Sequence, residues 1–429
     1  MSSSGSRNKR LFISDIHLGD ARSWTGGGVH PYPYVWTKRN VETLKNFLED
    51  TAKREDVQEV VILGDLFDQW IIPADCKPII SLEDIAENNS GIMEKIISLV
   101  KNGIDVAYAP GNHDMPYSLS DLQAKKEVIG RVLPGVKYVC DESTAPPEAL
   151  IRRGFLAAEH GNRYCICNAS DWSENPEMPY LHKSFLPLGY FISRLVAYKQ
   201  ATTDKPQNYF RILSAIIDES LRKSAGDLIP EVDPAKALAG VPTRDAFSRE
   251  LLTGVASDAV FDWRRPINIE GLEGYPLGVS LDSLADDYSG LWENWENHPP
   301  VRYVANNDIN TCIAAWNDCG SLSEAVKGEY LSSHRRDTNI VIFGHTHHAE
   351  MKKYCVIGAV PLDHIPLPSG GPYDFIYVNS GAWVDSAPYC SYVETEDDPD
   401  SNRCFVRLIS YAPGDEQVRD QGYVRLNPQ

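Results

Sequence analysis

Short apolar runs that stop abruptly on a carboxylate, an amide or a histidine recur along this chain. Arg10-Leu11-Phe12-Ile13-Ser14 ends on Asp15-Ile16-His17, and Glu59-Val60-Val61-Ile62-Leu63 ends on Gly64-Asp65-Leu66-Phe67-Asp68. A third run, Ile104 to Ala109, leads into Pro110-Gly111-Asn112-His113-Asp114. Runs of this length read as buried strands, and the glycines let the chain turn sharply at their ends. Between them, Val41, Leu44, Phe47 and Leu48 stand at helical spacing and predict a helix over 38–53. Ile92, Ile96, Ile97 and Val100 predict another from about Gly91 to Lys101. Strands alternating with helices in this way predict parallel βαβ units.

Further on, a short helix is expected from Leu119 to Ile129 and strands from Val136 to Val139 and Gly154 to Ala158, the last arriving at Glu159-His160-Gly161-Asn162. A strand over Tyr164 to Asn168 is expected to pair with it as a hairpin across Gly161-Asn162. The pattern then changes. From 171 to 337 it is mainly helical, with helices expected over Phe185 to Tyr198, Tyr209 to Leu221, Arg244 to Val255, Leu281 to Trp295 and Ile309 to Trp316. Strands return with Asn339-Ile340-Val341-Ile342-Phe343, which stops on Gly344-His345-Thr346-His347, and continue over Tyr354 to Val360, Asp374 to Asn379, Tyr389 to Glu394 and Phe405 to Tyr411. An α/β core over 10–170 and 338–429, interrupted by a helical cap over 171–337, is therefore expected. The irregular, aromatic stretch from Trp24 to Trp36 reads as a loop.

The chain has 429 residues, of which 42% are hydrophobic and 24% charged, enough for one large packed domain with a substantial insertion. Its formal charge of −19 argues against nucleic acid and anionic membranes as partners. Nine cysteines with no Cys-x-x-Cys pair point away from a disulfide framework and toward the cytoplasm. No signal-peptide pattern and no membrane-length apolar run is present.

Asp15 and His17, Asp65, Asn112 and His113, His160, and His345 and His347 all fall at strand ends. In open α/β sheets ligands gather outside the carboxyl ends of the strands, so these blocks are expected to share one rim. Two imidazoles at i and i+2 in the last block can face one small volume, with Thr346 as a spacer. Mixed oxygen and nitrogen donors suit Mn, Fe or Zn ligation without thiolates. Each block also has a plainer reading: Asp15 and Asp65 as helix caps, Asn112 and Asp114 as turn residues, His160 as a hairpin residue. Their joint order favours the metal reading. Asp68, one helical turn beyond Asp65, reads either as an acceptor for a ligand histidine or as a solvated carboxylate at a helix start.

In this order the motifs resemble those of the calcineurin-like metallophosphoesterase superfamily. The resemblance implies a two-sheet β-sandwich flanked by helices, and two divalent metal ions, with Mn expected first and Fe or Zn as alternatives. It implies Asp15, His17 and His347 at the first ion, Asp65 bridging, and Asn112, His160 and His345 at the second. It implies that His113, with Asp114 behind it, assists at the phosphoryl or leaving group during attack by a metal-bridging hydroxide. The implied function is a phosphohydrolase for a small phosphodiester, pyrophosphate or phosphomonoester, nucleotide- or lipid-linked. Phe12 to Asp20, Gly64 to Trp70, His160-Gly161-Asn162 and Gly381-Ala382-Trp383 further resemble the UDP-2,3-diacylglucosamine pyrophosphohydrolase group. The chain departs from that group in having His113 in place of an arginine, Asn162 in place of an aspartate, and a long insertion.

Other readings stay open: a nuclease or protein phosphatase of the same superfamily, or a non-catalytic scaffold that retains the fold. The helix face of Phe185, Leu188, Phe191, Ile192, Leu195 and Val196 is expected to pack on the core, with acyl binding or membrane contact as the alternative. Trp263, Trp292, Trp295 and Trp316 are candidates for stacking on a base or sugar, against burial in the cap. Arg22, Arg163, Lys183, Arg335 and Arg336 are candidates for gripping a second phosphate, against ordinary surface duty. Oligomeric state is not legible.

Overall fold

The computed structural model describes residues 7–20, 38–76, 80–143, 148–165, 168–169, 186–202, 252–253, 256, 261–262, 264–269, 278–288, 322, 330, 338–354, 356–357, 360–361, 372–384, 387–398 and 400–425. The strands are β1 (Lys9–Ile13), β2 (Val57–Leu63), β3 (Asp105–Ala109), β4 (Lys137–Tyr138), β5 (Ile151–Arg153), β6 (Leu156–Ala158), β7 (Ile267–Asn268), β8 (Gly278–Val279), β9 (Ile340–Phe343), β10 (Glu350–Tyr354), β11 (Val356–Ile357), β12 (Val360–Pro361), β13 (Phe375–Asn379), β14 (Cys390–Asp398), β15 (Arg403–Ala412) and β16 (Asp415–Arg425). The helices are α1 (Lys38–Ala52), α2 (Leu82–Asn88), α3 (Ser90–Lys101), α4 (Leu119–Val132), α5 (Leu188–Thr202) and α6 (Leu281–Asp287).

Two sheets organise the molecule. The larger has the order β16-β15-β14-β1-β2-β3-β4, the smaller β10-β13-β9-β6-β5. Strands β1 to β4 run parallel, as do β6, β9 and β13 in the other sheet. Side chains alternate across each strand, and the packing follows that alternation. Phe12, Val61 and Leu63 of the larger sheet meet Ile340, Ile342, Ile376 and Val378 of the smaller one in a shared core. Leu11, Ile13, Val60 and Ile62 face the other way, onto Leu44, Phe47 and Leu48 of α1 and Ile92 and Ile96 of α3. Strands buried on both faces are continuously apolar, which is why β1, β2 and β9 were legible as unbroken hydrophobic runs. This is the α/β sandwich flanked by helices.

Several boundaries differ from expectation, each for a physical reason. Tyr164 and Cys165 do not pair with β6, which is already paired with β5 on one side and β9 on the other. The chain instead turns at Gly161, where φ is +106°, into a 3-10 turn at Asn162–Tyr164. Tyr164 then stacks on Phe343 with ring centroids 5.3 Å apart. The hairpin that does form lies one step earlier, between β5 and β6. Helix α2 was not anticipated, although Ser81 caps it by accepting a hydrogen bond from Asp84 N–H at 3.1 Å. Strand β16 was also missed: most of its residues are exposed and polar, so it carries little hydrophobic signal. The acidic stretch from Glu396 is partly strand, because β14 runs on to Asp398. Where one strand is expected over Tyr354 to Val360, β10 ends at Tyr354 and two short paired strands follow, β11 and β12.

Helix α5 packs on the core as its apolar face predicted. Leu188, Phe191, Ile192, Leu195 and Val196 share one cluster with Leu11 and Trp70, and with Phe261, Leu284 and Tyr288 from later in the chain. The helices expected over Tyr209 to Leu221, Arg244 to Val255 and Ile309 to Trp316 lie wholly or largely outside the described residues, as do the Trp24 to Trp36 loop and Trp263, Trp292, Trp295, Trp316, Arg22, Lys183, Arg335 and Arg336.

Candidate metal centre

The parallel strands of both sheets end on the same rim, and the loops that follow them interlock. Asp15 N–H donates to Gly64 O at 3.2 Å, Ile16 and His17 N–H to Asp65 O at 2.9 and 2.8 Å, and Leu18 N–H to Leu66 O at 2.9 Å. Trp383 N–H, after β13, donates to Asp15 O at 3.0 Å. Among the described residues only six non-glycine residues have positive φ: Asp15, His17, Asp65, His345, His347 and Asn402. The first five are all predicted site residues. The left-handed region costs a residue with a Cβ about 1–3 kcal/mol, so this concentration marks a site whose geometry overrides local backbone preference.

These conformations aim the donor atoms inward. Asp15 Oδ1 lies 3.1 Å from His347 Nε2, 3.9 Å from His17 Nε2 and 4.0 Å from His160 Nε2. Asp65 Oδ2 lies 3.1 Å from His160 Nε2 and 3.6 Å from His17 Nε2. His160 Nε2 is 3.1 Å from Asn112 Oδ1, and the His17 and His347 Nε2 atoms are 3.1 Å apart. Three sets of donor atoms close enough to hold a cation result: Asp15, His17 and His347; Asp15, Asp65 and His160; and His17, Asp65 and His113. The His345 ring stands 5.1 Å from that of His160, and its Nε2 lies 3.4 Å from Asn168 Nδ2. The whole set is buried except for His345, which is partly exposed.

The far nitrogens are tied down. His17 Nδ1 donates to Asp68 Oδ2 at 2.8 Å, and His160 Nδ1 donates to Leu63 O at 2.8 Å. Each bond selects the tautomer that turns Nε2 to the cluster. Asp15 Oδ2 accepts from His345 N–H at 2.9 Å and from Ser14 Oγ, whereas its buried Oδ1 has no hydrogen-bond donor among the described residues. A buried carboxylate oxygen faced by the Nε2 atoms of His347, His17 and His160, the last two with Nδ1 fixed, fits a divalent cation; the donor set contains no sulfur.

The charges follow from this crowding. Burial pushes the Asp15 carboxyl up, but His347 and His160 outweigh it and hold it at about 2. Asp65 is lowered well below the ordinary range: burial is again outweighed, chiefly by His160 and His113. Burial pulls His160 down, yet Asp65 and Asp15 raise it to about 10. His345 is driven to about 3 by burial and by the charge of His160. His113 is raised, because Asp68 and Asp65 overcome the cost of its burial.

One assigned pairing is corrected. Asp114 was expected behind His113, but its carboxylate turns the other way. It accepts from the N–H groups of Asp65, Leu66, Phe67 and Gly111 at 3.3, 2.8, 3.2 and 2.6 Å, and from the Tyr108 hydroxyl at 2.5 Å. It therefore ties the loops after β2 and β3 together, and burial together with Asp65 raises its carboxyl to about 6. The partner of His113 is Asp68, whose Oδ1 lies 3.0 Å from His113 Nδ1. Asp68 is wholly buried and serves both His17 and His113, which removes the reading of a solvated carboxylate. Burial raises it, but His113 and His17 hold it at about 2.

Thr346 does more than space its neighbours: its Oγ1 accepts from Asn379 Nδ2 at 3.1 Å, and Asn379 also donates to Gly344 O at 2.6 Å. Asn379 was missed, although it ends an apolar strand in the same way as the recognised residues. Arg163 is engaged by a carboxylate of the protein itself. Its Nε and Nη2 donate to Glu159 at 2.5 and 3.0 Å, beside His160.

Close approach leaves no room for side chains at the strand-end glycines. A Cβ on Gly111 would stand 2.8 Å from both Asp65 N and His160 Cδ2. Gly111→Ala is therefore expected to weaken metal affinity by about 10–100-fold, the range seen when support around ligands is disturbed. Titration of the metal-free protein with Mn²⁺ checks this, and wild-type affinity would contradict the geometry.

Comparison with known proteins agrees with this picture. Residues 9–187 match the family model of the calcineurin-like phosphoesterases. No curated protein matches the chain. Among solved structures it is similar to a single mutant of Vps29 from Entamoeba histolytica, with 11% identity, 97% of this chain and 99% of that chain covered, and a TM-score of 0.28; nothing further rests on that likeness. The matched segment, 9–187, carries Asp15, His17, Asp65, Asn112, His113 and His160, the donors that the fold gathers at its rim.

Proposed function

We propose that the chain is a dinuclear-metal phosphohydrolase for a small phosphodiester, pyrophosphate or phosphomonoester. The observation that carries this reading is the convergence of Asp15 Oδ1, Asp65 Oδ2 and the His17, His160 and His347 Nε2 atoms. Asp15, His17 and His347 would hold one ion, Asn112, His160 and His345 the other, with Asp65 shared between them. Two such ions, Mn²⁺ in the first instance, would supply Lewis acidity toward water and toward the phosphoryl oxygens.

The protein's own groups complete the chemistry. Asp68 engages His113 at Nδ1, so Nε2 is the nitrogen that serves the substrate. In this reading His113, whose pKa Asp68 and Asp65 raise against the cost of burial, gives a proton to the leaving oxygen. Trp70 stacks on the His113 ring at 4.5 Å and an interplanar angle of 27°, which fixes the plane in which that proton is offered. Asn112 brings a neutral donor, which limits the negative charge gathered around the ions. In this reading the residues of 171–337, which fall in sequence between His160 and His345, select the substrate.

The test begins with chelated, metal-free protein. Adding Mn²⁺ should restore two ions per chain and raise Tm, because a ligand at 100 times its Kd stabilises the folded state by about 2.7 kcal/mol per site. The loaded protein should hydrolyse p-nitrophenyl phosphate or bis-p-nitrophenyl phosphate, and a panel of nucleotide sugars, cyclic nucleotides and phosphomonoesters then ranks substrates. Absence of bound metal and of any Tm shift would overturn the site. Binding without hydrolysis across the panel would leave a scaffold in place of an enzyme.

A further inference from the structure

Helix α5 is buried on every side from Leu188 to Ala197, including an arginine. Arg194 is 1% exposed. Its Nε donates to Ile72 O at 2.7 Å, and its Nη2 donates to Pro73 O at 3.1 Å and Cys76 O at 3.4 Å. Its Nη1 donates to the Tyr190 hydroxyl at 2.8 Å. A guanidinium is costly to bury without an anionic partner and is kept only where its fork is fully used. Here the fork grips the loop that begins immediately after Trp70.

That loop is continuous with the site. Asp68 Oδ1 accepts from Trp70 and Ile71 N–H at 3.0 and 3.1 Å, and the same carboxylate holds His17 and His113. Tyr190 meets the Trp70 ring edge-on at 5.9 Å, and Trp70 lies against His113. A second part of the insertion holds the loop as well: Asn268 N–H donates to Ala74 O at 2.9 Å, and Arg265 pairs with Asp75 at 3.1 Å.

We propose that Arg194 and Tyr190 are positioning residues for His113, acting from the insertion through the 70–76 loop and the Trp70 ring. The insertion then does more than shape a pocket. It sets the orientation of the group that protonates the leaving oxygen. This inference rests on the function proposed above, in which His113 is that group.

Leaving-group dependence tests it. Tyr190→Phe keeps the ring and removes one bond to Arg194; Arg194→Met removes the whole grip at similar length. Both are compared with wild type, Mn²⁺-loaded, on substituted phenyl phosphates, used as monoesters or diesters according to which the wild type hydrolyses. A p-nitrophenolate leaves without a proton, whereas phenolate needs one. Each variant should therefore lose at least about 10-fold more rate on the phenyl ester than on the p-nitrophenyl ester, within the range assigned to general acid catalysis. Bound metal per chain should match wild type.

An equal loss on all esters, no loss, or a loss that follows metal content would overturn the positioning role. If Arg194→Met fails to fold, Tyr190→Phe decides the matter, since it leaves the packing in place. A wild type that is inert on the whole series refutes the hydrolase reading itself, an outcome separate from variants that behave like an active wild type.

Discussion

Asp65→Asn is expected to lower kcat/KM by at least about 10³-fold, roughly 4 kcal/mol of transition-state stabilisation. Asp65 is the carboxylate on which the site converges: Oδ2 faces His160 and His17 at 3.1 and 3.6 Å, and Oδ1 accepts from His113 N–H at 2.9 Å. Asparagine has nearly the same shape and tolerates the left-handed backbone at this position, where φ is 52°. The substitution therefore removes charge with little added strain. It also turns an amide toward His160 where an acceptor is needed. Elemental analysis should show fewer than two ions per chain beside the lost rate. Retained activity with full metal occupancy would sink the role given to Asp65.

The second large effect is expected at His113. His113→Ala should reduce kcat by about 10²–10⁴-fold, the contribution of a positioned proton donor, while leaving bound metal near wild-type levels. The two variants are thus told apart by metal content as well as by rate. The geometry carries this separation: His113 is held by Asp68 and covered by Trp70, and the carboxylates and other imidazoles of the cluster remain when its ring is removed. Parallel loss of metal and activity in His113→Ala would show instead that its imidazole is a ligand, as the grouping of His17, Asp65 and His113 allows.

The contrast between Asp68 and Asp114 shows where reading along the chain stops. Asp114 is adjacent to His113 in sequence, and adjacency made it the natural partner. The turn at Pro110-Gly111 folds Asp114 back under four main-chain N–H groups, so neighbours in the chain point in opposite directions. Asp68 sits 45 positions before His113 in sequence and reaches it because β2 and β3 are parallel neighbours whose loops leave the same edge. Helix α5 gives a second case. Its apolar face was visible as a pattern, but the partners of Arg194 are carbonyls of a loop more than a hundred positions away, and no pattern along the chain points to a carbonyl.

What the sequence determined by itself was the buried strands that lead into the rim, β1, β2, β3, β6 and β9, and the residue types at their ends. Burial on both faces requires unbroken apolar runs, and the candidate metal centre draws on Asp, Asn and His directly after them, so both leave local traces from Phe12 to His347. What only the tertiary structure decided was which of those side chains meet, which carboxylate lies beside His113, and which carbonyls Arg194 grips. Those outcomes depend on strand order and on the left-handed turns at Asp15, His17, Asp65, His345 and His347. Such turns are strained in isolation and are held by contacts made across the fold.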